Sequence, residues 1–243
     1  MAKQEWLYGV HAVQAVLDLH PERVLELWLQ SDRREELAAS ASKLGISVQY
    51  QQKSKFQQRF EDCNHQGVVA RCRPLPIKSD NELNDLLDQL ENKNGHQIRL
   101  LVLDTVTDPH NLGSCLRSSD ALGVDAVIAP KDKSVGLTPV VAKTASGAME
   151  SVPFFQVTNL ARCLEQLKQR NIWVLGTAIS EQAVSVRDFT IEGHWALVMG
   201  AEGKGLRSLT AKTCDQLLYL PMRGYVDSLN VSVAAGVFVS MLG

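Results

Sequence analysis

Ile98-Arg-Leu-Leu-Val-Leu-Asp-Thr-Val-Thr-Asp-Pro-His-Asn-Leu-Gly-Ser-Cys-Leu-Arg117 decides how the rest of this chain is read. Leu100–Leu103 is an unbroken apolar run, the pattern of a strand covered on both faces. Pro109 then fixes a turn, and Asn111 is a good N-cap for a helix over Leu112–Leu122. The same grammar of strand then helix recurs downstream. Strands are expected at Ile98–Leu103, Ala126–Ala129, Val152–Val157, Ile172–Gly176, Trp195–Met199 and Leu217–Pro221. Helices are expected at Pro139–Met149, Leu160–Gln169, Leu206–Lys212 and Leu229–Met241. This alternation predicts an α/β domain over residues 96–243 with a mostly parallel sheet. Such sheets take their ligands beyond the carboxyl ends of the strands.

Upstream, residues 1–73 form a smaller α/β pattern of their own. Tyr8–Asp18 and Glu35–Leu44 read as helices, the second closed by Gly45, and Val24–Leu29, Ile46–Tyr50 and Gly67–Arg71 as strands. The run Gln49–Arg59 holds Lys53, Lys55 and Arg59 among glutamines, Tyr50 and Phe56, with no acid. It reads either as an RNA-facing surface with stacking aromatics or as an ordinary solvated face. Pro74-Leu-Pro76 opens a linker, 74–95, that ends in an acidic helix. Its Leu83, Leu86, Leu87 and Leu90 fall at helical spacing, and part of that helix is expected to pack on the second domain.

Composition narrows the class. With 45% hydrophobic and 21% charged residues among 243, the chain is not disordered, collagenous or a coiled coil. Five cysteines without a C-x-x-C pair, and six scattered histidines, support neither a disulfide framework nor a metal site, so no metal is expected. The longest weakly polar stretch, Val231–Gly243, is too short to span a bilayer, and Met1–Tyr8 lacks an apolar signal run, so a cytoplasmic protein without membrane contact is expected. A formal charge of −2 means that any nucleic-acid partner must be met by a local surface.

Three loops at expected strand ends carry the chemistry. Arg117 follows Asn111 by nearly two helical turns, so both can address one ligand. A guanidinium there suits a phosphate or carboxylate, and the alternative is a surface Arg with a capping Asn. Met199-Gly-Ala-Glu-Gly-Lys-Gly205 puts Gly200, Gly203 and Gly205 around Glu202, where backbone can approach a ligand closely. Its spacing is neither that of a dinucleotide fingerprint nor that of a P-loop. Met222–Ser232 crowds Ser228, Asn230 and Ser232 against the start of the last helix. Each loop alone has a bland reading as a turn or a cap; three such loops at three strand ends make a common pocket the better reading.

Together these stretches resemble the three ordered motifs of the SpoU/TrmH family, in the SPOUT superfamily of S-adenosylmethionine-dependent RNA 2′-O-ribose methyltransferases. Tyr8-Gly-Val-His-Ala-Val-Gln-Ala-Val-Leu and His65-Gln-Gly-Val-Val-Ala70 resemble that family's L30e-like substrate-binding domain, so the likeness spans nearly the whole chain. It is closest to members that methylate a guanosine of 23S rRNA in the peptidyl-transferase region. Departures are small: Ser119 stands where relatives often carry Ala, and the last helix stops early at Gly243.

The resemblance implies a deep trefoil knot in the C-terminal domain and a homodimer with its active site near the subunit interface. It implies S-adenosylmethionine as methyl donor and S-adenosylhomocysteine as product. The donor would be held by Thr177, Ala178, Met199, Gly200, Gly203, Leu220, Met222 and Leu229. Arg117, Asn111, Glu202, Ser228 and Asn230 would serve catalysis, and Lys53, Lys55 and Arg59 would contact RNA. Other readings are a tRNA 2′-O-methyltransferase and a non-catalytic rRNA-binding or ribosome-assembly protein; a Rossmann-type enzyme is disfavoured by the glycine spacing.

Overall fold

The computed structural model describes residues 4–30, 34–61 and 63–243. The first part of the chain gives β1 (Glu5–Tyr8), α1 (Val10–Leu19), β2 (Val24–Leu29), α2 (Glu35–Lys43), β3 (Ser47–Tyr50), α3 (Lys53–Phe60) and β4 (Val68–Cys72). Next come α4 (Asp80–Glu91), β5 (Arg99–Asp104), α5 (Pro109–Ala121), β6 (Ala126–Pro130), α6 (Pro139–Ala145), α7 (Ala148–Ser151) and β7 (Phe154–Val157). The chain closes with α8 (Leu160–Gln169), β8 (Trp173–Thr177), β9 (Val184–Ser185), β10 (Trp195–Gly200), α9 (Ser208–Thr213), β11 (Gln216–Tyr219) and α10 (Val231–Leu242).

These elements form two compact units: residues 1–76 with 137–151, and residues 77–136 with 152–243. The first unit holds a four-stranded sheet in the order β1-β4-β2-β3, with only the β2–β3 pair parallel. Register sorts its side chains by face. Leu7, Ala70 and Leu27 stand abreast in one row, and Tyr8, Val69 and Trp28 in the next, on the opposite face. The first row is fully buried. The second packs with Trp6 against Phe56 and Phe60 of α3. This α3 was not foreseen, because Phe56 and Phe60 are the only apolar positions in an otherwise polar octet.

The expected helix Pro139–Met149 is two helices, α6 and α7, and both belong to the first unit. They part at Ser146 and Gly147, both left-handed, with φ of 53° and 105°. A Cβ on Gly147 would stand 2.9 Å from Ala15 Cβ of α1, so this glycine serves close packing as well as the bend. Arg23, 5% exposed, pairs with the buried carboxylate of Glu150 on α7 and with Glu5 at 3.3 Å.

The second unit is a seven-stranded sheet in the order β7-β6-β5-β10-β8-β11-β9, with every pair parallel. Leu83, Leu87 and Leu90 of α4 and Leu160, Cys163, Leu164 and Leu167 of α8 pack with Leu100, Val102, Ala196 and Val198 of the central strands. Most of the stretch 74–95 is therefore an integral helix of this unit rather than a linker. Its leucines sit on one stripe and need a core to cover them. On the sheet's other residues, α10 packs against α5 and β10. Helix α5 starts at Pro109, with the Asp108 side chain accepting from the His110 N–H at 2.8 Å. The N-cap is therefore Asp108, not Asn111: proline favours the first helical position, which puts the cap one residue before it. Among the described residues no helix is long and apolar enough to cross a membrane, and no cluster of three metal-ligating side chains occurs.

Candidate active site

Strands β8, β10 and β11 are neighbours, so the loops leaving their carboxyl ends converge. After β10 the chain folds back sharply. Gly205 N–H donates to the Ala201 carbonyl at 2.9 Å, closing a tight turn. That return presses backbone on backbone. A Cβ on Gly200 would lie 2.1 Å from the Gly205 carbonyl carbon and 2.4 Å from the Leu206 nitrogen. Only glycine fits there. Beneath the turn, Thr177 anchors the end of β8 by donating its hydroxyl to the Val198 carbonyl at 3.2 Å.

The converging loops enclose a cavity of about 500 Å³. All eight residues expected around the methyl donor line it: Thr177, Ala178, Met199, Gly200, Gly203, Leu220, Met222 and Leu229. Its walls combine backbone groups of two loops with the apolar side chains of Leu220, Met222, Leu229 and Phe238. That mixture suits a flat nucleoside with a polar edge, and the volume lies in the range of small-molecule sites, roughly 300–1,000 Å³. The residues present therefore fit an adenosyl group, and the Cβ-free backbone at Gly200 lets the Ala201–Gly205 turn close beside it.

A second cavity, about 530 Å³, adjoins the first and shares Ala201, Glu202, Lys204, Gly205 and Val231 with it. Its far side is made by Thr105–Asp108, Asn111, Lys133 and Arg207. Thr105, at the end of β5, is held in left-handed backbone at φ 66°.

The five expected catalytic residues are distributed as follows. Asn230 donates its side-chain amide to Asn111 Oδ1 at 2.8 Å, tying the start of α10 to the first turn of α5. The other end of the Asn230 amide caps α10 by accepting from the Ser232 N–H at 3.0 Å. Glu202 is exposed on the turn that separates the two cavities. Ser228 lines the first cavity and donates to Asp227 at 3.1 Å. Arg117 is exposed on α5, nearly two turns beyond Asn111, and belongs to the lining of neither cavity.

The three expected RNA contacts lie on α3 in the first unit. Arg59 stacks its guanidinium on Trp6 at 4.8 Å and Trp28 at 5.1 Å, and Lys55 stands 5.2 Å over Trp28. Lys53 is exposed at the first turn. The idea of paired stacking aromatics needs correction: Tyr50 is 59% exposed, but Phe56 is 0% exposed and forms part of the aromatic core. It sits at the i, i+4 spacing with Phe60 that buries one side of a helix.

Two residues at the site were not foreseen. Asp104, fully buried at the end of β5, accepts from the Arg207 backbone N–H at 3.1 Å and from Arg207 Nε at 2.6 Å. An Asp ending an apolar strand was the only signal for it; nothing pairs it in sequence with a residue 103 positions away.

The chain resembles known proteins along nearly its whole length. A family model described as the SpoU rRNA methylase family matches residues 98–240, and one described as RNA 2′-O ribose methyltransferase substrate binding matches residues 6–78. The chain is 50% identical over 242 residues to the 23S rRNA (guanosine-2′-O-)-methyltransferase RlmB of Pseudomonas putida, covering 98% of this chain and 95% of the relative. It is 46% identical over 241 residues to the protein of the same name from Shewanella oneidensis, covering 98% and 96%. Among solved structures, an AdoMet-bound rRNA methyltransferase from Sinorhizobium meliloti superposes with a TM-score of 0.77 at 22% identity, covering 98% of this chain and 86% of that one. That likeness speaks for the fold. With both family models matched in order and relatives near half-identical end to end, the chain belongs to the SpoU rRNA methylase family.

Proposed function

We propose that this protein transfers a methyl group from S-adenosylmethionine to the ribose 2′-oxygen of a guanosine in 23S rRNA, in the peptidyl-transferase region. The observation that carries the proposal is the pair of adjoining cavities divided by the Ala201–Gly205 turn. One fits an adenosyl group, and the other is large enough for a nucleoside. The near-complete coverage by relatives named for that reaction supports the choice of substrate.

When bound, the cofactor supplies an electrophilic methyl on sulfur; the protein's part is alignment. The loops after β8, β10 and β11 hold the adenosyl group, and the Asn111–Asn230 pair fixes the edge at which the ribose arrives. The 2′-hydroxyl that would take the methyl group gives up its proton to solvent or to a neighbouring phosphate. Arg117 clamps that phosphate and stabilises charge growing on the 2′-oxygen. A guanidinium, a planar fork of donors with no acceptor, is better suited to that work than to accepting a proton. Glu202, Ser228 and Asn230 orient Arg117 and the nucleotide.

The first unit serves as an L30e-like reader of the rRNA, with Lys53, Lys55 and Arg59 on its RNA-facing helix. The protein works in the cytoplasm as a homodimer, which the exposed Val233 and Met241 on α10 support. The second unit carries the trefoil knot of its superfamily. The non-sequential order β10-β8-β11, with loops crowding one cavity, supports it.

The test is transfer of labelled methyl to unmodified transcripts of 23S rRNA and of tRNA, followed by nucleoside analysis. 2′-O-methylguanosine in 23S rRNA is expected. Label on a base, on tRNA alone, or on neither transcript refutes the assignment.

A further inference from the structure

The nucleoside-sized cavity continues into a smaller one, about 280 Å³, toward the ends of β6 and β7. The two share a wall made of Lys133 and Arg207. Neither residue has a place in the chemistry described above.

Arg207 is held in a way that a solvated surface cation does not need. Asp104 is 0% exposed, and its two oxygens take the Arg207 backbone N–H and Nε. Burying a carboxylate against a side chain that is itself 44% exposed sacrifices much of its hydration. The return is directional. A guanidinium is a rigid planar fork, so pinning its Nε edge fixes the plane in which the two terminal nitrogens lie, on a residue that lines both cavities. Those nitrogens have no partner among the described residues. Lys133 stands on the same wall, in left-handed backbone at φ 61°, with no ion pair among the described residues. Carboxylates also line the two cavities: Asp108 and Glu202 the larger, Asp132 the smaller. The groove is therefore no broad positive field. It presents two cationic side chains common to both linings, one of them held by a buried carboxylate.

We infer that Arg207 and Lys133 clamp a phosphodiester flanking the target ribose, other than the one that Arg117 contacts, with the target nucleoside in the larger cavity, and that Asp104 is the residue that positions Arg207. This rests on the 2′-O-methyltransferase reading and adds a substrate-binding site to it. The clamp explains how a chain with net charge −2 can grip RNA in its catalytic unit: by pre-aimed hydrogen bonds rather than by bulk charge.

The full-length protein is assayed with an unmodified 23S rRNA transcript. RNA affinity is measured against salt, KM and kcat for methyl transfer are separated, and S-adenosylmethionine affinity is read by calorimetry. Arg207→Gln is expected to raise the RNA Kd and KM about 10- to 100-fold, the scale of a charge-assisted hydrogen bond. The log–log salt slope should become shallower by about 0.7 for one lost phosphate contact, with cofactor affinity unchanged. Lys133→Gln should act in the same direction. Asp104→Asn keeps the cation but frees it, so KM should rise while the salt slope stays near wild type. The double variant of Asp104 and Arg207 should be no worse than Arg207→Gln alone. If Asp104→Asn does not fold, the Arg207 and Lys133 variants decide the matter by themselves. Arg207→Gln with wild-type KM and slope sinks the clamp while leaving the methyltransferase reading intact. Parallel loss of RNA and cofactor affinity also sinks it, since Arg207 would then merely brace the turn. A wild type that binds RNA without moving a methyl, beside an Arg207→Gln protein that binds it less, sinks the methyltransferase reading and leaves the clamp standing.

Discussion

Replacing Gly200 by alanine tests whether the Ala201–Gly205 turn is the wall of the methyl-donor site. The added Cβ would meet the Gly205 carbonyl carbon at 2.1 Å, its oxygen at 2.4 Å and the Leu206 nitrogen at 2.4 Å. All three are backbone atoms, so no side chain can swing aside. Relief requires the turn to open, which breaks the 2.9 Å hydrogen bond from Gly205 N–H to the Ala201 carbonyl. Overpacking strain of about 1–3 kcal/mol and a lost hydrogen bond of about 1 kcal/mol sum to roughly 2–4 kcal/mol. If that energy falls on the cofactor-binding conformation, the Kd for S-adenosylmethionine rises about 30- to 1,000-fold, at 1.4 kcal/mol per tenfold. Gly193→Ala, outside the cavity lining, is the matched control. No atom lies within 4 Å of its added Cβ, and only the backbone at φ +101° resists. That costs stability, about 1–2 kcal/mol, but leaves the turn closed, so cofactor affinity should stay within about threefold. Isothermal titration calorimetry with S-adenosylmethionine reads both variants, and thermal unfolding checks that each is folded. Wild-type affinity in Gly200→Ala, or equal losses in the two variants, would refute the argument from close approach.

Other outcomes are expected from the same geometry. Arg117→Ala should keep cofactor affinity and lose at least about 100-fold in methyl transfer at saturating cofactor, while near-normal turnover on rRNA would remove Arg117 from the chemistry. Lys53→Gln should weaken RNA binding with a Tm near wild type. Arg59→Gln, which strips a cation from Trp6 and Trp28, should lower Tm by about 2–6 °C; a Tm unmoved by that change would show the stacking to be worth nothing. Burial pushes the thiols of Cys72, Cys115, Cys163 and Cys214 up to about 12, so iodoacetamide at pH 8 should label the half-buried Cys63 first and the other four only on unfolding. The Ser79 N–H and hydroxyl, each 2.9 Å from Glu82, hold that carboxyl below its usual range. The resulting stability is present above the ordinary carboxylate pKa and is lost as pH falls through the lowered folded value. The Tm deficit of Glu82→Gln should therefore shrink in acid, and a deficit undiminished at pH 3 would contradict this.

The strands of the second unit were legible because a sheet covered on both faces writes itself as apolar runs: Leu100–Leu103 and Ala196–Met199 need no context to be read. That eight expected residues line one cavity was legible because they lie at strand ends and in a glycine turn, whose sequence order mirrors their convergence. Relationships between distant residues were not legible. Nothing local announces that Asp104 will hold Arg207, or that Asn230 will reach Asn111. Helix α3 was missed because two phenylalanines in eight residues give too weak a period, and β1 because four residues carry almost none. The basic run misled for a related reason: sequence displays Phe56 beside the cations, whereas a helix turns it inward while Lys53 stays in solvent.

The first unit's two-segment construction bears on the order in which a ribosome can complete it. Residues 1–76 leave the exit tunnel first, yet α6 and α7, which finish their packing, are translated only after about 60 intervening residues. At 5–20 residues per second, that delay is roughly 3–12 s. Throughout it, the apolar stripe of α1, with Ala12, Val13, Val16 and Leu17, lacks part of its cover, and Arg23 waits for Glu150. Vectorial synthesis therefore cannot finish this unit before β5, α5 and β6 have also emerged, and the nascent chain exposes a sticky helix for seconds. A chaperone that shields apolar helices on emerging chains would find its first binding segment there.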